Sequence, residues 1–192
     1  MFTKDMLTWL PDTPKWVPAE CDVPIRNQSW FWHPGEESKI RPHAELLDIY
    51  YRSVGHGCNL LLNLAPDDRG LIPDADAEAA IALLDEVRRH FDHPLAEASG
   101  TGDELTVELP NGTTFDHVVL MEDISKAERI REYVVEARGG DGGWTSVASG
   151  SAVGHKKIDR FEPVKASAIR VRVLRAVAEP HFRHLSVYNA EA

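Results

Sequence analysis

The sequence predicts an α+β chain in two parts, a β/α part followed by an antiparallel β-sandwich. Between residues 42 and 91, apolar side chains recur at three- and four-residue steps on both sides of one short apolar run. That pattern is typical of a helix, a strand and a second helix. Beyond residue 102, short alternating runs separated by turns are typical of antiparallel strands. We therefore predict a β/α part over residues 1–93, a linker over 94–101 and a sandwich over 102–192.

The composition excludes several classes of partner. The 192 residues carry a formal net charge of −10 with a pI of about 5.3, which argues against nucleic acid or an anionic membrane surface. No apolar run approaches the roughly 20 residues of a membrane span. The first residues lack the basic and then apolar pattern of a signal peptide, so the sequence assigns no compartment. A neutral ligand such as a sugar suits this charge.

The segment from Trp16 to His33 carries the densest chemistry in the chain. It is predicted as a strand followed by a loop, and it holds two carboxylates, an arginine and three consecutive aromatic residues. On a strand, Glu20 and Asp22 point to the same side because side chains alternate. A carboxyl group beside aromatic rings is the setting that raises an acid's pKa toward neutrality, as a general acid needs.

Two helices are predicted around a buried strand. The first begins near Pro42 and ends near Gly55. The strand, Asn59–Leu64, is almost continuously apolar, which indicates burial on both faces as in a parallel barrel. Asp74 is predicted to cap the second helix, whose acidic first turn and basic last turn suit the helix dipole. Its predicted buried stripe is Ile81, Leu84, Val87 and Phe91. The order fits the closing unit of a (β/α)₈ barrel.

The second part contains turns at residues 110–112 and 139–143 between its predicted strands. For Trp144, packing in the core is favoured over a platform for a sugar ring. Arg170 and Arg172 alternate with valines, which predicts a solvated face. The two cysteines, Cys21 and Cys58, are predicted as buried free thiols, with a disulfide as the alternative. No His and Cys grouping has the spacing of a zinc site, so we predict no metal.

Several motifs of the first part, taken in order, resemble the last third of the catalytic barrel of the α-L-fucosidases of glycoside hydrolase family 29. They are Trp16–His33, Tyr50–Gly55, Asn59–Asn63, Ala65–Asp68 and Gly70–Ile72. The resemblance covers roughly residues 14–93. It implies a C-terminal fragment of a (β/α)₈ barrel and a fucosylated glycan as substrate. Full-length members of the family are commonly exported.

The resemblance also implies roles for individual residues. Glu20 matches the general acid/base, and the aspartate nucleophile of a retaining enzyme falls in barrel sequence upstream of this motif. Asp22 is a poor substitute, since residues two apart on a strand are about 6.5–7 Å apart and a retaining pair needs about 5–5.5 Å. We expect Asp22 to orient Arg26 or a loop amide. Arg26 either binds a sugar hydroxyl or pairs with Asp22.

The three aromatic residues Trp30, Phe31 and Trp32 are predicted to include a wall around the fucose methyl group, with at least one of them packed in the barrel. The second part resembles a discoidin (coagulation factor 5/8 C-terminal type) sandwich, a galactose-binding-like jelly roll, over residues 102–190. Its motifs include Gly143–Gly150, Val153–Ile158 and Ile169–Val173. Some such modules hold a calcium ion, for which Glu122 and Asp123 are candidates.

Three hypotheses of function follow. The chain is the C-terminal portion of a retaining α-L-fucosidase, inactive alone because the nucleophile segment lies in a missing N-terminal barrel segment or a partner chain. Alternatively, it is a non-catalytic carbohydrate-binding or interaction module. In the third hypothesis, it is a truncated reading frame. In the first case, unpaired barrel strands would present an open edge and the helices would expose apolar faces.

Overall fold

A computed structural model describes residues 19–190, apart from the side chain of residue 111. The first part consists of strand β1 (Glu20–Pro24), helix α1 (His43–Ser53), strand β2 (Asn59–Asn63) and helix α2 (Asp74–Phe91). β1 and β2 pair in parallel, with Glu20 opposite Asn59 and Pro24 opposite Asn63. The start of the predicted strand, residues 16–18, and the lead-in before it lie outside the described residues. Neither helix is long and apolar enough to span a bilayer.

The helix ends differ from the prediction in their details. Pro42 and Pro73 occupy the N-cap positions, so Asp74 is the first helical residue and caps nothing. α1 continues as a 3₁₀ turn over Val54–His56, and Gly57, with φ of 83°, ends it in the left-handed conformation. Gly55 serves close packing instead, because a Cβ there would lie 3.3 Å from Ile158 Cβ.

The stripe that periodicity predicted for α2 is only partly buried, since Val87 and Phe91 pack in apolar clusters whereas Ile81 and Leu84 do not. The buried residues of α2 are Asp76, Leu83 and His90. Leu83 packs with Ile25 and Leu46 in a small core under β1 and β2. Ile81 and Leu84 are instead 57% and 45% exposed, and Leu61 of β2 is 49% exposed. The prediction that β2 is buried on both faces is therefore wrong for the described residues, and apolar faces are open as expected for unpaired barrel elements.

The second part is mostly antiparallel sheet, consistent with a β-sandwich. Its six strands are β3 (Ala96–Thr101), β4 (Glu104–Glu122), β5 (Ile130–Arg138), β6 (Trp144–Gly150), β7 (Lys157–Ala176) and β8 (His181–Tyr188). They lie in the order β3-β8-β4-β7-β5-β6. β4 and β7 are long and change register between Glu108 and Thr113, where the residues 110–112 predicted as a turn form an irregularity within β4. The turn at 139–143 is confirmed, joining β5 to β6.

The structure also corrects the linker. Residues 96–101 were expected to connect the two parts, but they form β3 and pair with β8. The sheet therefore begins almost directly after α2. A shared apolar cluster joins the parts, in which Tyr51 of α1 packs with Val119 of β4, Ile158 of β7 and Tyr188 of β8. The sandwich core itself lies on the other side of β4, around Phe115 and Val118.

Candidate functional site

The two predicted carboxylates lie on the open face of the parallel strand pair. Glu20 and Asp22 are exposed, whereas Cys21 and Val23 between them are half-buried. In register, Glu20 lies opposite Asn59 and Asp22 opposite Leu61, both of which are also exposed. The helices cover the other face, where Leu62 packs against the small core. Glu20 and Asp22 therefore share one side, as predicted from strand alternation.

Glu20 and the arginine-aromatic loop lie at opposite ends of β1. Glu20 is the first residue of the strand and Arg26 follows its last residue by two. Four steps of about 3.3 Å put the two ends of the strand about 13 Å apart. In β/α barrels the active site is built at the carboxyl ends of the strands. Of the predicted site residues, those of the loop after β1 lie at that end.

Arg26 is buried and pairs with α2. Its Nε donates to both carboxylate oxygens of Asp76, at 3.0 and 3.1 Å, and both side chains are almost fully enclosed. Its Nη1 reaches the carbonyl oxygen of His33 at 3.4 Å. The expected pairing with Asp22 is wrong, because Asp76 takes that place. Arg26 Nη2 is buried and has no hydrogen-bond partner among the described residues.

Asp76 is the functional candidate that sequence reasoning missed. It was noted only as an acidic residue in the first turn of a helix, where it complements the dipole. Nothing local in the sequence connects it to Arg26, because the two are fifty positions apart. A buried arginine requires an anionic partner, and that requirement is the one signal that could have led to it.

The aromatic residues form an exposed loop held to the end of β2. Trp30 is 50% and Phe31 77% exposed, and Trp32 is half-buried. The amide of Asn63 donates to the carbonyl oxygen of Trp30 at 2.9 Å. The Ser29 hydroxyl donates to the carbonyl oxygen of Phe31 at 3.0 Å. These bonds fix a pair of large apolar rings beside the carboxyl ends of both strands.

The loop after β2 is organised by Asp67. Its carboxylate accepts hydrogen bonds from the backbone amides of Arg69 and Leu71 and from the Arg69 side chain. The Arg69 hydrogen bond is the main reason that the pKa of Asp67 is lowered. Asp67 therefore stabilises the turn after β2.

The cysteines are neighbours on the helix-facing side of the strand pair. Both are free, as predicted, but they are half-buried and not fully buried. Burial raises the pKa of the Cys21 thiol, and a hydrogen bond with Cys58 acts in the same direction. Cys21 is thereby not poised as a nucleophile, because the thiolate is the reactive form.

In the sandwich, Trp144 lies under charged side chains. The guanidinium carbon of Arg170 is 4.3 Å, and that of Arg138 5.6 Å, from its ring centroid. Arg170 and Arg172 are not a freely solvated face, because both donate to Glu136, at 2.7 and 2.9 Å. Trp144 is half-buried, between the core and platform roles that the sequence left open.

The proposed calcium ligands are used inside the protein. Glu122 is 1% exposed, and its two carboxylate oxygens accept three backbone N–H groups, from Arg129, Ile130 and Gly154 at 2.7–3.0 Å. Asp123 accepts from the backbone and hydroxyl of Ser125. Among residues 19–190, no three His, Cys, Asp or Glu side chains are grouped as metal ligands.

Comparison with known proteins gives the class first. Residues 8–86 match the sequence model of the alpha-L-fucosidase family, whose members are glycoside hydrolases. The chain is homologous to the α-L-fucosidases through both of its parts. Alpha-L-fucosidase 1 of Arabidopsis thaliana is 32% identical over 209 aligned positions, which cover 90% of this chain and 41% of that protein.

Solved structures agree with this relationship. An α-L-fucosidase homologue from Bacteroides thetaiotaomicron superposes with a TM-score of 0.87 at 40% identity, covering 91% of this chain and 41% of its own. A glycoside hydrolase 29 family member from a rumen bacterium has a TM-score of 0.83 at 31% identity, over 99% of this chain and 36% of its own. The chain therefore spans about two fifths of the length of the relatives it matches.

Proposed function

We propose that this chain is the C-terminal portion of a retaining α-L-fucosidase, inactive alone, which removes terminal α-linked fucose from glycans when joined to the rest of its barrel. The observation that supports this most is the parallel pair β1 and β2. It is covered by α1 and α2 on one face and open on the other. Two strands cannot close a barrel, so the open face and both outer edges require further strands.

In the closed barrel, the open face becomes the interior. Glu20, Asp22 and Leu61 then point inward, since in these barrels the helices lie outside and the strand side chains of the other face fill the centre. The exposed apolar side chains Leu61, Ile81 and Leu84 become contacts with neighbouring units. The partner is therefore β/α polypeptide that also supplies the aspartate nucleophile.

The sugar site lies at the carboxyl ends of the strands. The rings of Trp30 and Phe31 are the apolar surface at that end, suited to a methyl-bearing sugar. Arg26 follows β1 at the same end and is held by Asp76, and its buried Nη2 has no partner among the described residues. Glu20 lies at the other end of β1, so its acid/base role depends on how the closed barrel places the glycan, and it stays a prediction that mutation decides.

Turnover of an aryl α-L-fucoside tests the proposal. The chain alone is expected to show none. A fusion that places the upstream barrel units of a family relative ahead of residue 19 is expected to hydrolyse the substrate. In that fusion, Glu20→Gln should abolish most turnover if Glu20 donates the proton. Glu37→Gln, an exposed carboxylate in the following loop, is the control. Turnover by the chain alone that disappears in Glu20→Gln contradicts the proposal.

The discoidin-like sandwich is the basis of the second candidate, a carbohydrate-binding or interaction module. The charged side chains over Trp144 reduce the ring surface that a sugar could use. A glycan-binding screen of the whole chain separates the two functions. Binding that survives Trp30→Ala and is lost in Trp144→Ala assigns the sugar to the sandwich.

A further inference from the structure

A chain of buried hydrogen bonds crosses the junction between the helices and the sandwich. The hydroxyl oxygen of Tyr51, on α1, lies 2.8 Å from His90 Nδ1 on α2 and 2.8 Å from His117 Nε2 on β4. His117 Nδ1 in turn lies 2.5 Å from Asp116 Oδ1. All four residues are less than a tenth exposed. We call Tyr51, His90, His117 and Asp116 the junction cluster.

Both ends of the junction cluster are anchored. Asp116 Oδ1 also accepts the backbone N–H of Ala190 at 2.9 Å, which ties the last described residue to β4. On α2, His90 Nε2 lies 2.9 Å from Arg89 Nη2 and 3.0 Å from Glu86 Oε1. The cluster therefore connects α1, α2, β4 and the last described residues.

One assignment of protons to the atoms of the junction cluster leaves both histidines neutral. A carboxylate only accepts, so His117 Nδ1 must carry a proton and Nε2 must accept one from Tyr51. Burial raises the pKa of Tyr51, so its hydroxyl keeps its single proton. Having donated to His117, Tyr51 accepts from His90 Nδ1. His90 Nε2 then accepts from Arg89, and every bond is satisfied.

One added proton reverses the hydrogen bonds within the cluster and replaces the Arg89 bond to His90 Nε2 by a bond from Nε2–H to Glu86. His90 Nε2–H then donates to Glu86, and Tyr51 donates to His90 Nδ1. His117 carries protons on both nitrogens, donating to Tyr51 and to Asp116.

A second added proton cannot be accommodated. Both histidines would then donate to Tyr51, whose own hydroxyl proton would have no acceptor in the cluster. A buried donor without an acceptor destabilises the closed form. The two imidazolium rings would also lie 5.9 Å apart between centroids, and the Arg160 guanidinium already lies 4.0 Å from the Tyr51 ring centroid.

Charged and titratable groups reach His90 from every element packed against it. They are Glu86 and Arg89 on α2, Tyr51 on α1, Asp116 and His117 on β4, and Arg160 on β7 through the Tyr51 ring. The neighbouring Phe91 side chain separates His90 from Tyr188 of β8 and from Lys156. Glu86 is the nearest group that favours a charged His90.

We propose that the junction cluster is a pH-sensitive contact between the helices and the sandwich. It holds them together while it carries at most one added proton, and it opens when acid forces a second proton onto it. Opening needs no ligand, because it exposes both imidazole rings and the phenol to water. Water then supplies the hydrogen bonds that each of these groups needs.

The direction in which pH changes the stability of the closed form follows from the pKa of His90. Its pKa is lowered in the folded protein, chiefly by burial, from an ordinary value of 6.5. The open form therefore binds more protons than the closed form between the lowered pKa and 6.5. The closed form is fully stable above pH 6.5 and becomes less stable as the pH falls from 6.5 to the lowered pKa. For each unit by which the pKa is lowered, the opening equilibrium rises about tenfold.

Amide hydrogen exchange followed by mass spectrometry between pH 8 and pH 5, corrected for intrinsic rates, tests this. In the wild type, protection of α1 and α2 should fall relative to β5 as the pH drops below 6.5. His90→Asn keeps a donor near the Nδ1 position but cannot take up a proton, so the pH-dependent loss should disappear. His93→Asn, exposed just beyond the same helix, should retain it. An unchanged loss in His90→Asn overturns the proposal.

A second variant decides the question if His90→Asn does not fold. Glu86→Gln removes the carboxylate that favours a protonated His90 in the closed form, so the pKa of His90 falls further and the loss of helix protection at pH 5 should be larger than in the wild type. Asp85→Asn, an exposed neighbour on the same helix, should lose as much protection as the wild type. A loss in Glu86→Gln equal to that of the wild type contradicts a role for the cluster.

Discussion

Arg26 and Asp76 form a buried ion pair across fifty positions of sequence, with Arg26 Nε 3.0 Å from Asp76 Oδ1 and side chains 3% and 1% exposed. The pair connects the loop after β1 to the first turn of α2. It also determines what Arg26 can do, because two of its contacts are made inside the protein and only Nη2 is left unused. Asp76 is therefore a positioning residue for the proposed sugar-facing loop.

Removing one partner of this pair should destabilise the first part severely. Asp76→Asn leaves the guanidinium buried without its counter-charge, which typically costs about 3–5 kcal/mol. Thermal unfolding followed by helical circular dichroism measures the loss. Glu78→Gln, an exposed carboxylate in the next turn of the same helix, makes the same chemical change and should shift the midpoint little. Equal shifts in the two variants would show that the pair contributes nothing.

Glu122 should stabilise the sandwich through its carboxylate. In Glu122→Gln, an amide nitrogen replaces one acceptor, so at least one backbone N–H loses its partner and the others lose a charged acceptor. Such bonds are worth about 1.5–3 kcal/mol each. Urea unfolding of the variant should show a loss of about 3 kcal/mol, whereas Glu162→Gln on the exposed face of β7 should show almost none.

The same contacts make a prediction about calcium. Because the Glu122 oxygens already accept backbone N–H groups, adding millimolar calcium chloride should leave the unfolding midpoint of the wild type unchanged. A rise in the midpoint with calcium that disappears in Glu122→Gln would instead assign the ion to this loop.

Glu136 should make the sandwich sensitive to acid. Hydrogen bonds from Arg172 and Arg170 lower its pKa below the usual 4.5. For a carboxylate with a lowered pKa, the stabilisation is complete above 4.5 and is lost as the pH falls through the folded value. Glu136→Gln should remove this dependence and cost about 1 kcal/mol at pH 7. Glu132→Gln, exposed on the same strand, should retain the wild-type acid profile.

The open face of α2 should tolerate charge where the buried face does not. Ile81 is 57% exposed and Leu83 6% exposed. Ile81→Lys should keep the unfolding midpoint and reduce self-association in analytical ultracentrifugation, because it removes an exposed apolar side chain. Leu83→Lys places a charge in the small core and should abolish the helical signal. Comparable damage from both substitutions would mean that Ile81 is covered in solution.

Particular strands and helices show how much of the fold can be predicted from the sequence. Strand β2 and both helices were predicted within a few residues, because periodic apolar residues and terminal prolines act locally. The alternation of β1 correctly placed Glu20 and Asp22 on one side. In contrast, only Val87 and Phe91 of the apolar stripe predicted for α2 pack inside the protein. Ile81 and Leu84 are apolar, but in the described residues no neighbour covers them.

The sequence by itself determined the parallel strand and helix pattern, the glycine turn before Trp144 and the relationship to fucosidases. Those properties depend on residue types and spacings within short windows. Only the tertiary structure decided that Asp76 pairs with Arg26, that residues 96–101 join the sheet, and that Glu122 serves backbone amides. Each of these depends on contacts between segments far apart in the chain, which local patterns do not encode.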